Sequence, residues 1–380
     1  MRQMILIAIT SALLLACGKT QAPLDESRLQ ILNRPIEVDM TGVAGYTGQS
    51  TGEVQSQGLF DTLLSLTPSL NLIGTIAPPQ ISGSTLQATD VFVNGTKAYV
   101  AYNTAGVEQA GGVDVIDFAN SGSPVLKSSA VYSDTDINKV FVESGKLYAT
   151  GSTSSGETGA ILKRISLDGS GLLTSFVESK VLRSAADADI PAHTGTSVLK
   201  AGNYVYAATG KNGGLNVLNA SDLSQVAFTA VEDARDLATD SSGKILVLTG
   251  KTSTKEALVQ TYAAVTGTAV SGTAITLPGA AIDEGKSTIV GGTIGHIASA
   301  GQGGARFVCG TTGSMFGNYL GMMGVPVLPS VEVGETAANS VAFGNGLVYV
   351  AQGGAGVYIY SIERTLLTFG CAGLSLNYRG

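Results

Sequence analysis

The chain has 380 residues, with 29 acidic and 22 basic side chains, a net charge of −7 and only 13% charged positions. No long basic run occurs, which excludes recognition of nucleic acid or of anionic lipid through a charge footprint. Fifty glycines, two histidines and no tryptophan fit a sheet protein with many tight turns and leave little imidazole for catalysis.

The chain opens with Arg2 and an apolar run from Ile5 to Leu15. That run is too short for a membrane span of roughly 18–20 residues and has the layout of a secretory leader. It closes on Leu14-Leu15-Ala16-Cys17. The quartet resembles the lipobox of bacterial lipoproteins, with Leu15 a less usual occupant than Ala or Ser. The resemblance implies a leader over residues 1–16, diacylation of Cys17 and acylation of the new amino group. A plain secretory signal cut elsewhere is the other reading. Three acyl chains would give stable anchoring, so the membrane is a partner through the lipid. Gly18 and Lys19 follow the cysteine. The lack of Asp there resembles the outer-membrane class, periplasmic or surface-exposed.

Residues 17–69 read as a lipidated tether. Thr41–Gly58 is rich in Gly, Ser, Thr and Gln, too poor in apolar surface to offset its ordering entropy. Leu59–Leu66 has the pattern of a helical turn or two. The folded domain is expected over residues 70–380.

From there the chain repeats an apolar strand, a polar turn, a second strand carrying Tyr or Val, and a third apolar strand. The clearest copies begin at Val91, Val140, Val198, Leu237 and Val341, with a degenerate one at Ile297. Asn, Gly, Ser or Asp occupies each first turn, as hairpins with positive φ require. The spacings fit four-stranded propeller blades with loop insertions. The expected fold is therefore an all-β propeller of six blades, or of seven if Leu366–Tyr378 joins an N-terminal segment. Within the first unit, Gly112-Val113-Asp114-Val115-Ile116-Asp117 leads through Asn120 and Pro124 into Val125-Leu126. This resembles the LVIVD repeat of bacterial surface propellers, echoed weakly at Gly213–Asn219 and Gly356–Tyr360. The resemblance implies a propeller and no particular reaction. Asn71–Ala77 reads like the outer strand Val125–Val131 and is expected to complete the last blade, joining the two ends of the domain in one sheet.

Candidate chemistry is sparse. Asp187-x-Asp189-x-x-x-His193 lacks zinc spacing. Asp134-x-Asp136-x-Asn138 opens like an EF-hand, but Lys139 and Gly145 stand where that loop needs Gly and Glu; a looser calcium site is the remaining cofactor candidate. Gly279, Gly285, Lys286 and Ser287 miss P-loop spacing. Gly313-Ser314-Met315-Phe316-Gly317 is no nucleophile elbow. Cys309 and Cys371 are a candidate disulfide in an oxidising compartment. Residues just before each inner strand are expected to ring the channel mouth and to bind a ligand there. These are Asp90, Lys139, Ser197 or Thr196, Asp236, His296 and Ser340, with Asn138, Arg235 and Asn339 beside them. The alternative is that they only cap strand ends.

Two functional classes follow. The first is a non-enzymatic, lipid-anchored module that binds an envelope protein or surface ligand. The second is a propeller enzyme, a calcium-dependent lactonase or lyase, using the channel-mouth acids.

Overall fold

The computed structural model describes residues 28–36, 70–104, 106, 108–120, 124–185, 190–239, 242–250, 255–277, 287–290, 295–300, 305–309, 318–323, 339–344 and 347–362. Strand β1 (Leu29–Ile36) and strand β2 (Leu70–Ile76) precede a small hairpin, β3 (Gln80–Ile81) and β4 (Ser84–Thr85). Four-stranded antiparallel sheets follow. The first holds β5 (Gln87–Asn94), β6 (Lys97–Asn103), β7 (Gly111–Asp117) and β8 (Val125–Tyr132). The second holds β9 (Thr135–Glu143), β10 (Lys146–Thr153), β11 (Gly159–Leu167) and β12 (Leu173–Val181). The third holds β13 (Ser197–Ala201), β14 (Tyr204–Ala208), β15 (Gly214–Asn219) and β16 (Gln225–Ala230). The fourth holds β17 (Ala234–Thr239), β18 (Ile245–Thr249), β19 (Ala257–Tyr262) and β20 (Ile275–Leu277). The fifth holds β21 (Ser287–Val290), β22 (Gly295–Ala300), β23 (Ala305–Cys309) and β24 (Asn318–Met323). A closing sheet adds β25 (Ser340–Gly344), β26 (Leu347–Ala351) and β27 (Val357–Ile362), and it is completed by β2 and β1.

The first strands of successive sheets pack side by side, β5 on β9, β9 on β13, and so on until β25 returns to β5. The fold is thus the expected β-propeller. Its sheets are locally encoded. In the β9–β10 hairpin, Ser144 (φ 53°) and Gly145 (φ 69°) supply the two positive-φ positions of a tight turn, which matches the twist of the flanking strands.

Central strands are apolar on both sides because each blade is sandwiched between two others. Along β6, Ala98, Val100 and Tyr102 pack with Tyr349, Val357 and Ile359 of the closing sheet. Tyr99 and Ala101, the alternate residues, pack with Ile137, Val140 and Leu147 of the second sheet. The same two-sided use recurs on β14, where Val205 and Ala207 face Leu162 and Tyr206 and Ala208 face Leu237 and Val247. Period-two alternation therefore divides apolar residues between two interfaces. Each fully buried large side chain contributes about 1.5–3 kcal/mol.

The ends of the domain meet as expected. Strand β2 pairs antiparallel with β27, with Ile76 opposite Val357 and Leu70 opposite Ile362. One element corrects the tether assigned to residues 17–69: Leu29–Ile36 is a strand. It pairs with β2, Leu29 opposite Ile76 and Ile36 opposite Leu70. Just before it, the Arg28 guanidinium donates to the Asp114 carboxylate of β7 at 2.6 Å. Asp114 is fully buried there, so the Arg28 charge neutralises a carboxylate that would otherwise be costly to bury. Cys17, Leu59–Leu66, Cys371 and the tail Leu366–Tyr378 lie outside the described residues.

Candidate functional site: the polar ring at the mouth

Asp90 (β5), Lys139 (β9), Ser197 (β13), Asp236 (β17) and Ser340 (β25) hold corresponding register positions. They stand opposite Ala101, Thr150, Ala208, Leu248 and Ala351 of the adjoining strands. In β5, β9 and β17 the residue before this position is looped out of the ladder as a bulge. A bulge bends the strand and re-aims its neighbour.

The structure brings these residues together. Lys139 Nζ lies 3.0 Å from Asp90 Oδ1 and 3.0 Å from Asp236 Oδ2. Asp90 also accepts from the Ser340 hydroxyl at 2.6 Å and from the Val140 N–H at 3.0 Å. Asp236 accepts from the Ser197 hydroxyl, which in turn accepts from the Leu237 N–H at 3.1 Å. Asp90 and Asp236 are almost wholly buried. Burial by itself would lower the Lys139 pKa, but Asp236 and Asp90 outweigh it and hold the ammonium above the ordinary lysine value. Burial pushes the Asp90 carboxyl up, against the opposing pull of Lys139, Ser340 and the Val140 N–H.

A second layer repeats blade by blade. Thr89 Oγ1 donates to the Ile137 carbonyl at 2.9 Å, and Asn138 Nδ2 to the Gly195 carbonyl at 2.8 Å. Thr196 Oγ1 donates to the Ala234 carbonyl at 2.6 Å, and Asn339 Nδ2 to the Ala88 carbonyl at 2.8 Å. In each case the donor directly precedes its blade's ring residue. The acceptor lies two residues before the ring residue of the next blade. These are clasps between neighbours. Asn138 also donates to Thr194 Oγ1 at 2.8 Å and accepts from Asn103 at 3.1 Å. The Asn138 and Asn339 amides, expected beside the channel mouth, are thus engaged with the adjoining blade.

Arg235, looped out beside Asp236, pairs with Asp233, Nε to Oδ1 at 2.8 Å. Asp233 is buried with φ 54°, and a Cβ added at Gly250 would sit 2.0 Å from its Oδ2. His296 requires a further correction. It lies on β22, opposite Val308, one strand out from the innermost strand β21. The backbone position matching the ring is Ser287, opposite Ala300. Cys309 ends β23 opposite Asn318.

The EF-hand-like run is not a loop, since Asp136 and Asn138 lie within β9. The Asp136 carboxylate accepts from the Thr104 N–H and hydroxyl, both at 3.1 Å, and from Ser152 Oγ at 3.3 Å. Asp134 stands in the turn before β9. His193 is exposed in the link ahead of β13, while Asp187 and Asp189 lie outside the described residues. Among the described residues no three His, Cys, Asp or Glu side chains converge as a metal site.

Close backbone approach next to the ring yields a direct test. A Cβ at Gly151 would fall 1.9 Å from the Asp136 carbonyl oxygen. Gly151→Ala is expected to lose about 1–3 kcal/mol through overpacking, read as a lower urea midpoint. Gly169→Ala, where nothing lies within 4 Å, is the neutral control. Equal midpoints for the two variants would contradict this packing.

No family model matches the chain, and none of the curated proteins does. Among solved structures, a gluconolactonase of Xanthomonas campestris is 11% identical, with 91% of this chain and 100% of that one covered and a TM-score of 0.50. The periplasmic gluconolactonase PpgL of Pseudomonas aeruginosa is 13% identical, over 85% of this chain and 89% of its own, with a TM-score of 0.49. BamB of Moraxella catarrhalis is 12% identical, over 90% of this chain and all of its own, at 0.38. At such identities the likeness is one of fold alone.

Proposed function

We propose that this protein is a lipid-anchored propeller of the cell envelope, related to the LVIVD-repeat surface propellers, that works as a binding module and not as an enzyme. One observation carries the non-enzymatic reading: the mouth acids are engaged with the protein itself. Asp90 and Asp236 share Lys139 and take hydroxyl or backbone donors from neighbouring blades. A general base or a metal-binding carboxylate must reach substrate, whereas these two are buried and each is bonded to Lys139 and to a ring serine. Recognition then belongs to long loops such as 103–112 and 152–159, which join the second and third strands of the first two blades. The anchor rests on Leu14–Cys17, and an outer-membrane position on Gly18 and Lys19. The partner is an envelope protein or surface ligand.

Two measurements test this reading. Cys17→Ser should move the protein from the detergent phase to the aqueous phase. Purified protein should hydrolyse neither aldonolactones nor simple esters when calcium is supplied, while crosslinking in intact envelopes should trap a specific partner. Calcium-dependent lactone hydrolysis that is lost in Asp236→Asn would overturn the binding-module reading in favour of the lactonase one.

A further inference from the structure

Strand β1 changes how the ring hangs from its anchor. Its first residue pairs with Ile76, Ile76 with Val357, Val357 with Ala351, and Ala351 with Ser340. That row ends at a member of the polar ring, so the chain enters β1 at the mouth end of the closing sheet. Arg28 is fastened to the buried Asp114 at this same entry point. The Gly- and Ser-rich stretch between Ile36 and Leu70 is therefore not in the path from the anchor to the ring. It joins two paired strand ends, Ile36 opposite Leu70, on the far side of the sheet.

We infer that the leash from Cys17 to the ring is only the eleven steps to Arg28, and that it holds the mouth face of the propeller toward the bilayer. This rests on the proposed acylation of Cys17. At about 3.3–3.6 Å per residue, such a leash reaches at most roughly 40 Å. Strand β1, eight residues long, is about 26 Å from end to end at 3.3 Å per residue. Turning the opposite face to the membrane would force the leash back along the whole height of β1 and use up most of its reach. With the mouth face inward the eleven steps need span little distance, and a tether held at small end separation has the most conformations open to it. The loops beside the ring would then meet partners embedded in, or lying on, the same membrane.

Energy transfer to the membrane surface tests this. Acylated full-length protein would carry a donor dye on an unnatural amino acid at Ser155 or at Ser170. Both sites are exposed and lie at opposite ends of one blade, roughly 30 Å apart along a nine-residue strand. The vesicles would be phosphatidylethanolamine and phosphatidylglycerol bearing an acceptor on the headgroup. Transfer from position 155 should exceed that from position 170, and a long Gly/Ser insertion between Cys17 and Arg28 should abolish the difference. Equal transfer in the parent protein, or more from 170, overturns the orientation while leaving the anchor intact. A protein that fails to float with the vesicles overturns the acylation reading and this inference with it.

Discussion

Replacing Lys139 with Met is expected to cost about 3–5 kcal/mol of folding stability, because it leaves two buried carboxylates facing one another without a cation. Asp90 and Asp236 are 1% and 0% exposed, so neither can turn to water for relief. Restoring neutrality should recover most of the loss: Lys139→Met combined with Asp90→Asn and Asp236→Asn exchanges a charged triad for polar and apolar groups of similar volume. Denaturation midpoints of the single and triple variants make the comparison. A single variant as stable as the parent would mean that the triad is not holding the ring. The pH dependence has a definite sign. The folded-state pKa of Lys139 is raised, so its contribution is fully present below the unfolded lysine value of about 10.4 and disappears as pH climbs through the folded value. Asp90, also raised, works in the other direction. The folded state binds its proton more readily than the unfolded chain does, so acidification through that range favours the fold at this site. The parent should therefore lose the Lys139 contribution only in strong alkali, and the Met variant should lack that alkaline step.

Three truncations should separate anchor, strap and closing strand. Loss of residues 18–27 should leave the unfolding midpoint unchanged. Loss of 18–36 removes β1 and strands Asp114 without Arg28, for which a cost of about 3–5 kcal/mol is expected. Loss of 18–77 also removes β2, whose bonds to β27 join the two ends of the domain. That variant should show no cooperative transition by circular dichroism or calorimetry. If the second and third truncations behaved like the first, neither β1 nor β2 would belong to the folded unit.

The blades were legible wherever a local hairpin declared itself. Val91–Ala101 and Val140–Ala149 each carry an alternating strand, a turn with its own φ requirement, and an aromatic return strand, all set by near neighbours in sequence. The ring positions Asp90, Lys139, Ser197, Asp236 and Ser340 followed from that register. Ser287 is hard to read from sequence because its strand is four residues long and has no aromatic return strand; the more apolar Ile297 looks like the inner strand instead, which puts His296 one strand out. The clasps left a readable trace, since Thr89, Asn138, Thr196 and Asn339 are all hydroxyl or amide side chains one position before the ring. Their acceptors are backbone carbonyls of another blade, and no residue type marks a carbonyl. Strand β1 was obscured for a related reason. Leu29–Ile36 contains Asn33, Arg34 and Pro35, a poor β pattern that edge position tolerates. It is held by pairing with β2 and by an ion pair spanning 86 residues, neither of which a local reading contains.

The clasps also have a direction. Each donor faces the blade that follows it, and Asn339 carries the sequence past the chain's late strands back to Ala88 near its beginning. A blade added at the growing end thus finds its own donor already committed forward, to a neighbour not yet made, while β2 waits with an open edge for Val357–Ile362. A nascent chain of this kind stays sticky until nearly its last strand. Until β27 is made, β2 keeps an unpaired edge of the kind on which a strand of another chain can add.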